Sequence, residues 1–157
     1  MNACILAAMS RRAAPALYQH QRRVVMADTD AAGVIYFGCV FSWHEAAMQE
    51  WLHNAGHPIG KLLAEGYANP AVHSEADYTY PLRVGDEITV QLRPGKVGTR
   101  SFELVAEGWL GEILAVRVLV VYVWAHLATA DGQGFRSANL PPWLLKALAV
   151  EVDAGQR

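Results

Sequence analysis

The sequence predicts an α+β fold in which a curved antiparallel sheet wraps around one long central helix. Three observations carry that expectation. Residues from about Phe37 to Ala55 place apolar side chains at helical spacing over a wide face. A short strand-like run precedes them, and strand-like runs separated by turn signals fill most of the chain that follows.

The elements follow in order along the 157 residues. Residues 1–20 are Ala- and Arg-rich without a clear period and are expected to form a loosely ordered extension, leaving 21–157 as a single domain. The run "RRVVMA" (Arg22 to Ala27) reads as a short strand and leads into "DTDAAGVIYF" (Asp28 to Phe37). In the helix, Val40, Trp43, Ala47 and Trp51 form one apolar row, and Phe41, Met48, Leu52 and Ala55 form its neighbour. Ser42, Glu45, Gln49 and His53 make a narrower polar stripe, with His44 and Glu50 outside it. A face this wide needs cover on several sides. The helix should stop at "NAGHP", where Gly56 suits a left-handed C′ position and Pro58 prevents continuation.

A short helical or loop segment is expected from Ile59 to Tyr67. "AVHSEADYTY" then alternates with period two, and "EITVQLRP" and "RSFELVAEGW" flank the turn "GKVGT". The run from Ile113 to His126 is rich in Val, Tyr and Trp and reads as a strand buried on both faces. "ATADGQG" is a polar loop, and Pro141 and Pro142 stand where a last helix could begin.

Composition excludes several classes. The 13 basic and 15 acidic residues give −2 and no basic block, which argues against nucleic acid. Cys4 and Cys39 make neither a disulfide framework nor a zinc spacing, so a cytoplasmic setting is expected. No membrane segment is expected. The apolar run after Ile113 contains Arg117 and His126 and falls short of the ~20 apolar residues of a spanning helix, and the arginines near the start follow the apolar stretch where a secretory signal has them before it. His73, Glu75 and Asp77 share one strand face. That row reads as the solvated face of a half-buried sheet, and no metal is expected.

"DTDAAGVIYF" resembles the segment before the central helix in the 4-hydroxybenzoyl-CoA thioesterase family, whose members have the hotdog fold. The likeness runs from about Arg22 to His126. With "HEA" (His44 to Ala46) and "PAVHSEADYTYPLRVGD" (Pro70 to Asp86), the pattern is closest to the 1,4-dihydroxy-2-naphthoyl-CoA hydrolases. Gly38 and Cys39 depart from that branch, standing where larger or amide residues are usual, and the extension at the start is longer than typical.

The resemblance implies an aromatic acyl-CoA thioesterase that needs no cofactor and works as a homodimer or homotetramer. It makes Asp30 the catalytic acid. An aspartate is anionic at neutral pH, so it can attack a thioester carbonyl or draw a proton from water. Gly33 allows a tight turn, and backbone N–H groups around Tyr36 and Phe37, beside the positive end of the helix, are the expected oxyanion donors. Asp28 is expected to be a structural cap. The family places His73 towards the acyl group and Lys96 and Arg100 near the phosphates of CoA. A second branch of hotdog thioesterases carries its catalytic carboxylate on this helix, which makes Glu45 a substrate-site residue and fallback base, with a role in the dimer interface or against a neighbouring strand as the alternative. Two other readings stay open. One is a short-chain acyl-CoA or acyl-carrier-protein thioesterase of the Tol–Pal-associated type, and the other is a non-catalytic acyl-binding hotdog protein.

Overall fold

The computed structural model describes residues 15–127 and 134–148. Five strands form one antiparallel sheet: β1 (Tyr18–Arg23), β3 (Ala71–Tyr78), β4 (Glu87–Val97), β5 (Ser101–Leu110) and β6 (Ile113–Val123), in the spatial order β1-β4-β5-β6-β3. A second, small sheet has the order β2-β7-β8, built from β2 (Tyr67–Ala68), β7 (Ala125–Leu127) and β8 (Phe135–Ser137). The helices are α1 (Cys39–Asn54), α2 (Ile59–Ala64) and α3 (Pro142–Leu148).

The central helix α1 packs against β1, β4, β5 and β6, as a wide apolar face requires. Val40, Trp43, Ala47, Met48, Trp51 and Leu52 are buried there against Leu92, Leu104, Val118 and Val120. Each such side chain contributes roughly 1.5–3 kcal/mol by leaving water. That burial holds the helix, because its N-cap residue Gly38 supplies no side-chain hydrogen bond. The other end closes as expected. Gly56 has φ +83°, its N–H donates to His53 O at 3.0 Å, and His57 N–H reaches back to Leu52 O at 2.9 Å.

Three expectations shift. The first strand runs from Tyr18 to Arg23, earlier than Arg22 to Ala27, and pairs Tyr18 with Leu92 and Arg23 with Glu87. Its polar sequence, "YQHQRR", alternates half-buried and exposed side chains, so period two survives without apolar residues. Tyr18–His20 therefore belong to the sheet; residues 1–14 of the expected extension lie outside the described residues. Second, β6 is not buried on both faces. Val116, Val118, Val120 and Tyr122 face α1 and are buried, while Leu114, Arg117, Leu119, Val121 and Val123 are half-covered, because one chain supplies a helical layer to one sheet face only. Third, the run breaks at the buried Trp124, whose N–H donates to Arg100 O at 2.8 Å, and Ala125–Leu127 join the small sheet. Most of the expected loop from Ala128 to Gly134 lies outside the described residues, and β8 follows it without a strong sequence signal.

Candidate active site

Between β1 and α1 the chain makes a small hairpin. A 3-10 turn over Met26–Asp28 leads in, Thr29 and Ile35 bridge, and the rungs are Asp30 N–H to Val34 O at 3.0 Å and Tyr36 N–H to Asp28 O at 2.7 Å. The tip is a turn closed by Gly33 N–H on Asp30 O, with Gly33 at φ +74°, where a side chain would strain the backbone. Ile35 N–H donates to Leu82 O at 3.0 Å and fixes the hairpin to the segment after β3.

Asp28 anchors the hairpin from below. Its side chain is buried and accepts from three donors: Arg22 Nη2 at 2.8 Å, Val25 N–H at 2.9 Å and Trp43 Nε1 at 3.1 Å. The Arg22 guanidinium lies 4.4 Å from the centre of the Trp43 ring, so the cation is held by both the carboxylate and the indole face. Asp28 is thus structural, but as a tie between β1, the turn and Trp43 and not as the expected cap of α1, whose N-cap is Gly38.

Asp30 differs from Asp28 in every respect. It is exposed, and its Oδ1 accepts one backbone N–H, from Ala32 at 2.8 Å. The other oxygen has no hydrogen-bond partner among the described residues. The two expected backbone donors separate. Tyr36 N–H is taken by Asp28 O as a rung of the hairpin, which removes it as an oxyanion donor. Phe37 N–H has no acceptor among the described residues. The Tyr36 and Phe37 rings are both exposed and meet at 4.5 Å, and the Tyr78 hydroxyl from β3 donates to Phe37 O. Desolvation there raises the Tyr78 pKa. The ring of Tyr36 also lies over Gly38. A Cβ on Gly38 would come within 2.6 Å of it.

The remaining expected residues lie elsewhere. His73 and Glu75 pair with Val121 and Leu119 of β6, whose side chains turn away from α1. Opposed residues share a face. His73 therefore stands on the sheet face opposite α1, exposed and 3.4 Å from Glu75, and one chain does not bring it to Asp30. Glu45 is exposed on α1 and accepts from Gln49 Nε2 at 3.1 Å. Lys96 sits at the end of β4, its backbone N–H on Glu103, and Arg100 Nε donates to Asn139 Oδ1 at 3.4 Å. Among the described residues, no group of three or more His, Cys, Asp or Glu side chains could hold a metal ion.

One polar pair escaped sequence reasoning. His44 is buried in the core, its Nε2 3.2 Å from Leu104 O and its Nδ1 3.3 Å from the Tyr122 hydroxyl. A neutral ring that donates from Nε2 and accepts at Nδ1 satisfies both contacts. Burial lowers the His44 pKa and raises that of Tyr122. The spacing did hold a signal, since His44 lies four residues from both Val40 and Met48 on the apolar side of the helix. Cys39 is half-buried, and burial reinforced by the Asp28 charge pushes its thiol up to about 11, so it is no thiolate nucleophile at neutral pH.

Comparison with known proteins adds to this geometry. Residues 32–116 match the pattern of the thioesterase superfamily. A 1,4-dihydroxy-2-naphthoyl-CoA hydrolase of Nostoc punctiforme is 31% identical over 117 residues, covering 74% of this chain and 79% of the relative. A second protein of that name from Prochlorococcus marinus is 33% identical over 116 residues, 68% and 74% of the two chains. The crystal structure of a 1,4-dihydroxy-2-naphthoyl-CoA thioesterase from Synechocystis superposes with a TM-score of 0.73 at 26% identity, over 83% of this chain and 94% of that one. A mutant 4-hydroxybenzoyl-CoA thioesterase complexed with 4-hydroxybenzoyl-CoA shares the fold, with a TM-score of 0.74 at 19% identity over 83% and 97%.

Proposed function

The chain belongs to the thioesterase superfamily and has its hotdog fold, and from that premise we propose that it hydrolyses an aromatic acyl-CoA to the free acid and CoA. The acyl group is of the 1,4-dihydroxy-2-naphthoyl or 4-hydroxybenzoyl type, following the names of the relatives. The observation that carries the reading is the contrast within one short loop. Asp28 spends its carboxylate on three donors, whereas among the described residues Asp30 keeps an oxygen without a partner and Phe37 N–H lies at the start of α1 without an acceptor.

Asp30 is the reacting carboxylate in this reading. As nucleophile, its oxygen adds to the thioester carbon, the C–S bond breaks, CoA leaves as thiolate, and water then cleaves the mixed anhydride. As base, Asp30 takes a proton from the water that adds to the same carbon. In either course negative charge gathers on the carbonyl oxygen, and Phe37 N–H at the positive end of α1 is the donor that meets it. Gly33 shapes the turn, and Tyr36 and Phe37 offer ring faces to a planar acyl group. Neither course asks for a metal or cofactor.

The protein works as a homodimer or homotetramer in the cytoplasm. β3 is an edge strand, and Val72, Tyr78 and Tyr80 are exposed on or beside it. His73 and Glu45 enter the acyl site, and Lys96 and Arg100 the CoA site, only across such an interface. No helix among the described residues is long and apolar enough to cross a membrane.

The test is CoA release from 1,4-dihydroxy-2-naphthoyl-CoA, 4-hydroxybenzoyl-CoA, benzoyl-CoA and hexanoyl-CoA. The hydroxylated aryl esters should give the highest kcat/KM. Equal or better turnover of hexanoyl-CoA would point to the short-chain reading, and no release from any ester to the acyl-binding one.

A further inference from the structure

A cavity of about 440 Å³ lies beyond the C-terminal end of α1, where no residue of the Asp30 hairpin reaches it. The 16 residues of α1 stand between the two places, a separation of about 24 Å at 1.5 Å per residue. The lining is a continuous run of rings. His57 stacks on Trp143 at 3.6 Å and 11°, Trp143 meets Trp124 edge-on at 5.8 Å, Trp124 stacks on Tyr67 at 5.3 Å, and Tyr67 touches His126 at 4.6 Å. Trp124 is buried at the floor beside Leu62, and His126 is exposed at the mouth.

The rings give a guest apolar contact area, while Lys61, Glu65 and Asn139 supply polar groups at the opening. Ring faces and edges favour a flat aromatic guest over a saturated one of equal volume, because only the former matches their quadrupoles. The mouth adds charge. Lys61 contacts Glu65 at 4.0 Å, with both side chains about half exposed, and so loose a pair leaves the ammonium able to turn to an anion. Asn139 accepts from Arg100 through its Oδ1, which leaves its amide NH₂ to donate at the same rim.

We propose that this cavity is a second binding site, separate from the Asp30 hairpin, for a planar aromatic ring that carries an anionic group. Aryl carboxylates present that chemistry. The proposal does not depend on the role of Asp30.

Calorimetric titration of the full chain with 2-naphthoate, 2-naphthamide, decahydro-2-naphthoate and AMP tests it. Lys61 and His126 are exposed, so their variants keep the fold. Saturable binding of 2-naphthoate should weaken about tenfold in Lys61→Gln, with 2-naphthamide unaffected by that change. His126→Ala should weaken both ligands, and Asp30→Asn neither. AMP binding with the same dependence on Lys61 and His126, in place of 2-naphthoate, overturns the proposal, because the cavity beside Arg100 then takes the nucleotide end of CoA. The proposal is overturned if neither anion binds saturably or if decahydro-2-naphthoate binds as well as 2-naphthoate. Affinities unchanged in Lys61→Gln and His126→Ala also overturn it, since binding then lies elsewhere.

Discussion

The indole N–H of Trp43 donates to the carboxylate of Asp28 at 3.1 Å, so the start of α1 and the hairpin that carries Asp30 are tied together through a buried bond. Removing the carboxylate strands three donors. Asp28→Ala should therefore cost about 1–3 kcal/mol in denaturant unfolding. It should also lower kcat more than it raises KM, because the hairpin loses its anchor while the substrate contacts remain. A variant that matched the parent in both measurements would show that the hairpin holds its shape unaided.

Asp30→Asn should fold normally, since the exposed carboxylate accepts one backbone hydrogen bond that an amide oxygen can replace. Its rate of thioester cleavage should fall well beyond tenfold, which corresponds to ~1.4 kcal/mol of barrier. Glu45→Gln should stay within about tenfold of the parent. The opposite ranking in steady-state kinetics would move the chemistry to Glu45.

Stability should decline on mild acidification. Burial lowers the His44 pKa against the opposing pull of the Leu104 carbonyl and Glu45. The unfolded chain therefore takes up the proton first as pH falls through the ordinary value of 6.5. The contribution is complete above that pH and is lost below it. His20, lowered by burial and by Arg22, acts in the same direction. Melting temperature should drop between about pH 8 and pH 5.5, and His44→Gln should flatten that slope whatever its effect on absolute stability. An unchanged slope in His44→Gln would assign the dependence to other groups.

Association should run through the free edge of β3. Thr79 N–H bonds Ala115 O, so by alternation Asp77, Glu75 and His73 turn their backbone groups to β6, while Ser74 and Ala76 turn theirs outward. Ala76→Pro removes one outward donor without breaking the β6 ladder. Sedimentation at micromolar concentration should show an oligomer for the parent and a shift toward monomer for the variant. A parent that sediments as an active monomer would refute the interface.

Much of this was legible in the sequence, for local reasons. Gly56 and Pro58 fixed the end of α1, its apolar rows fixed the buried face, and "DTDAAGVIYF" marked the segment before α1, with a tight turn at Gly33. The losses came from long-range pairing. Nothing near Trp124 announces that its backbone bonds to Arg100 and leaves one sheet for another. The same is true of Tyr36 N–H, whose acceptor is set by the fold-back onto Asp28. Period two likewise told that His73, Glu75 and Asp77 share a strand face, but not which sheet face meets α1.

The contact between Tyr36 and Gly38 bears on how this lineage can change. A side chain at 38 must displace the Tyr36 ring, and that ring packs on Phe37. The two positions are therefore epistatic. A larger residue at 38 while Tyr36 keeps its pose meets a steric barrier, and loss of the Tyr36 ring removes the contact that raises it. The order of substitution decides which variants selection can reach, and a library varying 38 alone will hold fewer tolerated side chains than one varying 36 and 38 together.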